Sequence, residues 1–291
     1  MLRVLITGGK GGTGKTFIAS NLAYVASLRG LSTFLVDADI SNPSTWMTLG
    51  APRPEPISTV YSFRPLIDKS KCNLCGKCVE VCPTHALVLI PGRDLLLIDT
   101  LCEGCSLCMY VCPLKAVRKG SNIAGWVLRT RLKSLPIIIG ELRPGERRED
   151  TVITELLKQC EKLEASTKAK LTFIDAPAGS GALMRKLIRF SHTYLCVVEP
   201  TPLSLNDFMR LTKVIELNKT IVILNKTGTS STMESKFQSI LKELEVRWIE
   251  IPFLKDIASS YANSIPLPDS PIWPRLSSKF LEILEMVLGR N

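Results

Sequence analysis

The chain has 291 residues, 45% of them hydrophobic, and 37 Lys and Arg against 27 Asp and Glu give a formal net charge of +10. That composition supports a sizeable core, and because no apolar run approaches the ~18 residues of a membrane span, no transmembrane segment is expected. The basic balance permits an acidic partner, but its cations are scattered and no aromatic residues interleave with them, so a nucleic-acid groove is not expected.

The first predicted element is a buried strand, Leu2–Thr7, and it runs directly into GKGGTGKT, Gly9 to Thr16. This satisfies G-x-x-x-x-G-K-[ST] between a strand and a helix, the context in which the pattern makes a phosphate-binding loop. Gly9, Gly11, Gly12 and Gly14, with Thr13 between them, let backbone N–H groups converge on phosphate oxygens. Lys15 reaches the β and γ phosphates and Thr16 takes Mg²⁺, so a bound nucleotide with Mg²⁺ is expected. A helix over Lys15–Leu28 follows, then a strand over Thr33–Asp37 that ends in LVDADISNPS with Asp37 and Asp39. Pro52, Pro54, Pro56 and Pro65 fall in a stretch without helical or strand period, which reads as a linker.

Next come two copies of one phrase, CNLCGKCVEVCP and CEGCSLCMYVCP, each C-x2-C-x2-C-x3-C-P. This is the bacterial ferredoxin run, in which three closely spaced thiolates hold one 4Fe-4S cluster and the fourth reaches across to the other. Cys72, Cys75, Cys78 and Cys112 are expected to hold the first cluster, and Cys102, Cys105, Cys108 and Cys82 the second. A zinc site has no use for the doubled phrase. A disulfide framework needs an oxidising compartment, and a core strand starting at Leu2 leaves no room for a signal peptide, so a cytoplasmic location is expected. Both rank below two clusters. Cys160 and Cys196 lie outside the phrases and read as small buried apolar residues. His85 and His192 read as surface or loop residues, since the cysteines already complete both clusters.

After Gly120–Ser121 the alternation of strand and helix resumes. Strands are expected at Pro136–Gly140, Leu171–Asp175, Thr193–Val198 and Thr220–Asn225. Helices are expected at Asp150–Leu163, Ala182–Phe190, Ser204–Leu217 and Met233–Leu244. The expected fold class is α/β, a doubly wound, mostly parallel sheet that binds its ligand at the carboxyl ends of the strands, interrupted by a small α+β module. The expected division is 1–65 for the first part of the host, 66–120 for the ferredoxin-like insert and 121–291 for the second part.

Lys10 gives the loop the form x-K-G-G-x-G-K-[ST], and here the chain resembles the deviant Walker A ATPases, the MinD and ParA class. In that family the extra lysine crosses a nucleotide-sandwich dimer and contacts the partner's phosphates, as an arginine finger does in trans. The resemblance implies a homodimer with Lys10 acting across it. It also implies that Asp39 in the first switch orients or activates the attacking water while Asp37 supports Mg²⁺ through its water shell. In FIDAPAGSG it makes Asp175 the Walker B carboxylate and lets Gly179 offer its N–H to the γ phosphate. In ILNK it puts Asn225 against adenine, with Ile251–Leu267 near the base. As isolated carboxylates, these aspartates could instead cap helices.

Within the class, the chain resembles MinD-superfamily ATPases with an inserted ferredoxin domain, including the phrase VVEPTPLSLNDF. The implied activity is ATP hydrolysis in a nucleotide-dependent dimer, coupled to electron transfer or to iron–sulfur or metal-cofactor maturation with a protein partner. FIDAPAGSG carries no cysteine that could bridge a dimer, as the nitrogenase iron protein requires, and no C-x-x-C follows Cys112, as in Mrp-like carriers. The alternative is a positioning or partition ATPase whose clusters are structural or redox-sensing. Its membrane-bound branch uses a basic amphipathic terminal helix. Here Phe280, Leu281, Leu284, Val287 and Leu288 recur at helical spacing with only Lys279 and Arg290 as cations, which reads as a packed helix.

Overall fold

A computed structural model describes residues 1–179 and 181–289. The chain opens with β1 (Leu2–Thr7), α1 (Lys15–Leu28), β2 (Thr33–Asp37), the single turn α2 (Thr45–Thr48) and the long β3 (Glu55–Ile67). The cysteine segment holds α3 (Lys77–Glu80), a hairpin of β4 (Leu87–Ile90) and β5 (Asp94–Leu97), and α4 (Leu107–Val111). β6 (Val117–Leu132), β7 (Leu135–Leu142), α5 (Glu149–Thr167), β8 (Leu171–Asp175), α6 (Ala182–Phe190) and β9 (Thr193–Val198) follow. The chain closes with α7 (Pro202–Leu211), β10 (Thr220–Thr227), α8 (Ser231–Glu243), β11 (Arg247–Pro252), α9 (Lys255–Ala262) and α10 (Trp273–Leu288).

Among the described residues the main sheet is nine-stranded, in the order β11-β10-β9-β1-β8-β2-β7-β6-β3. The strands from β11 to β7 run parallel, whereas β6 and β3 extend that edge as antiparallel partners. Parallel strands must be covered on both faces, and the side chains alternate accordingly. Val4 and Ile6 of β1 enter one core with Leu22 of α1 and Phe280 of α10, while Leu5 enters the other with Leu156 of α5 and Phe208 of α7. Each such fully buried Leu or Ile contributes about 1.5–3 kcal/mol. The apolar side of α10 is therefore spent inside the protein: Phe280 is buried and meets Phe17 and Trp273 edge to face. The second cation expected in that tail, Arg290, lies outside the described residues.

The linker expected over Pro52 to Pro65 is not a linker. Most of it is β3, which pairs with β6 from Glu55↔Arg129 to Ile67↔Val117, with register shifts between Pro56 and Ser58 and between Val60 and Tyr61. Proline lacks the ladder donor, so it is tolerated on an edge strand or at a bulge. β3 is the sheet edge, and its prolines hid its period. The expected boundaries at 65/66 and 120/121 both fall inside strands, β3 and β6, so a continuous two-stranded ribbon carries the cysteine segment at its far end. β11 had no counterpart among the expected strands.

The parallel register brings the chemistry together. Asp37 at the end of β2 pairs with Asp175 at the end of β8, and Ile6 of β1 pairs with Asp175 on its other side. The turn after β1 therefore opens beside both carboxylates, at the carboxyl ends of the strands.

Candidate nucleotide site and paired cysteine sites

The loop between β1 and α1 wraps the mouth of a cavity of about 450 Å³. Gly11, Gly12, Gly14, Lys15 and Thr16 form its loop wall, with Asp39, Ala178, Asn225 and Lys226 around them. Phe17, Pro252, Phe253, Leu254, Ile257 and Tyr261 make an apolar wall suited to a flat ring, drawn largely from the segment expected near the base. Gly14 has φ +101, and a side chain there would run into Asn225, so the tight entry into α1 requires glycine. Gly9 is equally constrained, because an added Cβ would sit 2.1 Å from Cβ of Asp207 on α7.

Several expected residues do something other than face the cavity. Asn225, buried and expected against adenine, donates from Nδ2 to the Thr13 carbonyl at 2.8 Å, so it braces the loop as well as lining the cavity. Gly179 has φ +106 and does not line the cavity, where its neighbour Ala178 does. Asp37 is fully buried, and its carboxylate accepts the backbone N–H groups of Ser44 and Thr45 at 2.9 Å and of Asp39 at 3.2 Å. It caps α2 from across the turn and braces the segment that follows β2, and it does not itself line the cavity.

Asp175 fits a cation better. Its Oδ2 accepts the Thr16 hydroxyl at 2.6 Å, while its Oδ1 is buried without a partner. Burial and the nearby Asp37 push its carboxyl well above the usual range. Burial likewise pushes Asp37 up to about 6 and raises Asp39, the latter partly offset by Lys15. Two stacked carboxylates with an orphaned oxygen beside a threonine hydroxyl lack positive charge, and Mg²⁺ held through Thr16 and Asp175 fits that deficit. Burial lowers the Lys15 ammonium, which Asp175 and Asp39 partly counter, and its Nζ donates to the Lys10 carbonyl at 3.0 Å.

Two residues that the sequence did not single out complete the loop's electrostatics. Lys10 pairs with Glu199, whose other oxygen takes Lys226 Nζ at 2.7 Å. Lys226, at φ +62, also donates to the Gly12 carbonyl at 2.7 Å. Burial alone would raise Glu199, but its bonds to the two lysines overcome this and hold the carboxyl below its ordinary range. Glu199 lies in VVEPTPLSLNDF and Lys226 in ILNK, but no spacing rule joins them to Lys10.

None of the ten cysteines is joined in a disulfide, and eight of them divide into two sets. Cys72, Cys75, Cys78 and Cys112 line one cavity, with Leu89, Leu95 and Leu114. Cys82, Cys102, Cys105 and Cys108 line a second, with Phe63, Pro65 and Leu97. The fourth cysteine of each set thus comes from the other phrase. The two phrases also repeat their backbone: Leu74 and Gly104, Gly76 and Ser106, and His85 and Lys115 all have positive φ. Ala86 N–H donates to Cys82 Sγ at 3.3 Å and Ala116 N–H to Cys112 Sγ at 3.2 Å. Burial opposes ionisation of these two thiols, yet such N–H bonds prevail and lower them. Cys108, by contrast, is pushed up to about 11 by burial and by Cys102 and Cys105. Four converging thiolates repel unless a cationic centre joins them. Among the described residues no three His, Cys, Asp or Glu converge as a single ion needs. Cys160 and Cys196 are buried in the core.

Residues 4–267 match the family model of the CobQ/CobB/MinD/ParA nucleotide binding domain. An uncharacterized protein of Methanocaldococcus jannaschii is 30% identical over 273 residues, 93% of this chain and 91% of that protein. An iron-sulfur cluster carrier protein of the same organism is 33% identical over 67 residues, 23% of each chain. The solved cell division ATPase MinD of Pyrococcus furiosus superposes with a TM-score of 0.58 at 18% identity, covering 98% of this chain and 100% of that one, a likeness of fold.

Proposed function

From a chain that belongs to the CobQ/CobB/MinD/ParA nucleotide-binding family, we propose an ATP-hydrolysing iron–sulfur protein in which a nucleotide-dependent homodimer is coupled to electron transfer or to metal-cofactor maturation. The observation that carries this reading is that each crossed set of four cysteines lines its own cavity in a chain that also has a phosphate-binding loop. The short stretch of similarity to an iron-sulfur cluster carrier protein adds weight. A 4Fe-4S cluster in each cavity supplies one-electron storage. The apolar walls limit water around it, and the N–H donors to Cys82 and Cys112 favour their thiolate forms.

At the nucleotide site, Mg²⁺ supplies positive charge to the phosphate oxygens. Loop N–H groups cradle the phosphates, and Lys15 exchanges the Lys10 carbonyl for phosphate oxygen. Thr16 and Asp175 would hold the metal, and Asp39 on the cavity wall would orient the water that displaces ADP from the γ phosphorus. Lys10 leaves Glu199 for the phosphates of the partner subunit, while Lys226 keeps Glu199 compensated. Among these fates for ATP energy, electron transfer is favoured by the two adjacent cysteine sites.

The test is anaerobic protein assayed for iron and acid-labile sulfide, then titrated with dithionite under electron paramagnetic resonance, with and without a non-hydrolysable MgATP analogue. Coupling of about 1–3 kcal/mol corresponds to a shift of roughly 40–130 mV, at about 59 mV per tenfold for one electron. Such a shift supports ATP-gated transfer. Two clusters whose potentials ignore the nucleotide would overturn it in favour of structural clusters on a positioning ATPase.

A further inference from the structure

The two cysteine sites differ in what surrounds them. A second small cavity touches Cys102 and is lined by Arg64, Asp99, Arg143, Glu146, Arg147 and Arg148. Four arginines and two acids line it, Arg148 and Glu146 buried and Arg147 exposed. Arg148 is buried, pairs with Glu146 and donates from Nη1 to the Phe63 carbonyl at 2.8 Å. Arg64 pairs with Asp99, and Nε of Arg143 is buried without a partner. The arginines press on the ligand loop itself: an added Cβ on Gly104, between Cys102 and Cys105, would meet the Phe63 carbonyl at 3.1 Å and Arg148 Nη1 at 3.4 Å. The walls of the two cysteine cavities themselves differ little in charge: exposed Lys77 lines the first and exposed Glu103 the second, so the arginine cavity beside Cys102 is what sets the second site apart.

The same loop, between β7 and α5, also touches the first switch. Leu142 N–H donates to the Ile40 carbonyl at 2.8 Å, and Ser41 Oγ donates to Glu149 Oε1 at 3.2 Å. Ile40 and Ser41 directly follow Asp39, which lines the nucleotide cavity. Glu149 is the residue after Arg148. One short segment therefore contacts the switch at its ends and the second cysteine loop in its middle. A change after β2 on nucleotide binding that pulls on the backbone at Glu149 reaches Arg148, its neighbour at the start of α5.

On the iron–sulfur reading given above, we propose that the loop Arg143–Glu149 couples the nucleotide site to the second cysteine site, with Arg148 as the positioning residue. Reduction adds negative charge to a cluster, and buried guanidinium groups beside it favour the reduced form in a medium of low dielectric. The site of Cys82, Cys102, Cys105 and Cys108 is then the higher in potential of the two, and it is the one that responds to nucleotide.

The experiment is the same reductive titration on full-length holoprotein, the two signals being assigned by their loss in Cys75→Ser and Cys105→Ser. Removing the ion pair together, Arg148→Met with Glu146→Met, avoids stranding a buried charge. Arg148→Met alone, which does remove net positive charge, is expected to shift the reduced-to-oxidised ratio of the second signal at least tenfold toward oxidised, about 59 mV, the charge-neutral double variant to shift it less, and both to leave the first unmoved. Arg148→Lys should restore part of that shift. Ser41→Ala and Glu149→Ala, both at exposed positions, should keep the nucleotide-free potentials and at least halve the response to the MgATP analogue. An unmoved second signal, equal movement of both signals, or a full nucleotide response in Ser41→Ala and Glu149→Ala would overturn the coupling. If the double variant does not fold, the two exposed variants decide alone. Protein without iron and sulfide would overturn the cluster reading and the coupling with it, and wild-type clusters that ignore the nucleotide would overturn ATP-gated transfer, whereas a wild-type nucleotide response that survives Ser41→Ala and Glu149→Ala overturns the coupling through this loop only.

Discussion

Lys10 is tied within its own chain to Glu199, a carboxylate that Lys226 can compensate alone. Lys10→Ala should therefore leave fold and nucleotide affinity nearly intact while abolishing stimulated hydrolysis, read as phosphate release beside a fluorescent-nucleotide binding curve. Hydrolysis at the wild-type rate would remove the trans-acting lysine. Asp37 makes a pH prediction. Burial raises it from 3.8 to about 6, against the N–H bonds of Thr45 and Ser44. A raised carboxyl means that the fold prefers the neutral form, so its contribution is complete below about pH 4 and is lost as pH rises through about 6. In thermal melts without Mg²⁺, Asp37→Asn should be the less stable near pH 4, because its Nδ2 faces N–H donors, and should gain on the wild type up to about pH 6.5. A deficit that widens with rising pH would show the sign to be wrong. Asp37 was legible as a functional carboxylate at a strand end, but its partners Ser44 and Thr45 were not, because a cap delivered from the preceding strand leaves no spacing pattern.

At the scale of elements, the crossing of the cysteine phrases is the feature with a measurable consequence. Cys112 ends α4 in the second phrase yet lines the cavity of Cys72, Cys75 and Cys78. Cys112→Ser should remove the first cluster's paramagnetic signal and about half of the iron while sparing the second. Loss of the second signal alone would show the ligand sets to be uncrossed. Phrase spacing was enough to propose those sets, since two-residue gaps wrap only three corners of a cubane. The β3–β6 ribbon was hidden for a related reason. Pairing of Glu55 with Arg129 joins residues far apart in the chain, and the prolines that an edge strand tolerates erase the alternation by which strands are recognised.

For the whole molecule, the nucleotide cavity is open on the side formed by Gly11 and Gly12, both exposed. A second copy can supply a lysine there. Specific hydrolysis should rise with protein concentration, and sedimentation should convert monomer to dimer on adding the MgATP analogue to wild type. A specific rate that stays constant while the protein sediments as a monomer would sink the sandwich. No described helix is long and apolar enough to cross a membrane, and α10 has committed its apolar face to the core that holds α1.

By itself the sequence determined what depends on short stretches of chain. The glycines and Lys15 of the phosphate loop, the aspartates at strand ends and the two cysteine phrases all act through local backbone geometry, which fixed spacing encodes. Tertiary structure alone decided which distant groups answer each other. Glu199 and Lys226 come to Lys10 because β9 and β10 are neighbours in the sheet beside β1. The arginines come to Cys102 because the β7–α5 loop folds against the ribbon that carries the cysteines. Such pairings follow strand order and packing of residues remote in the chain, and no local period records them.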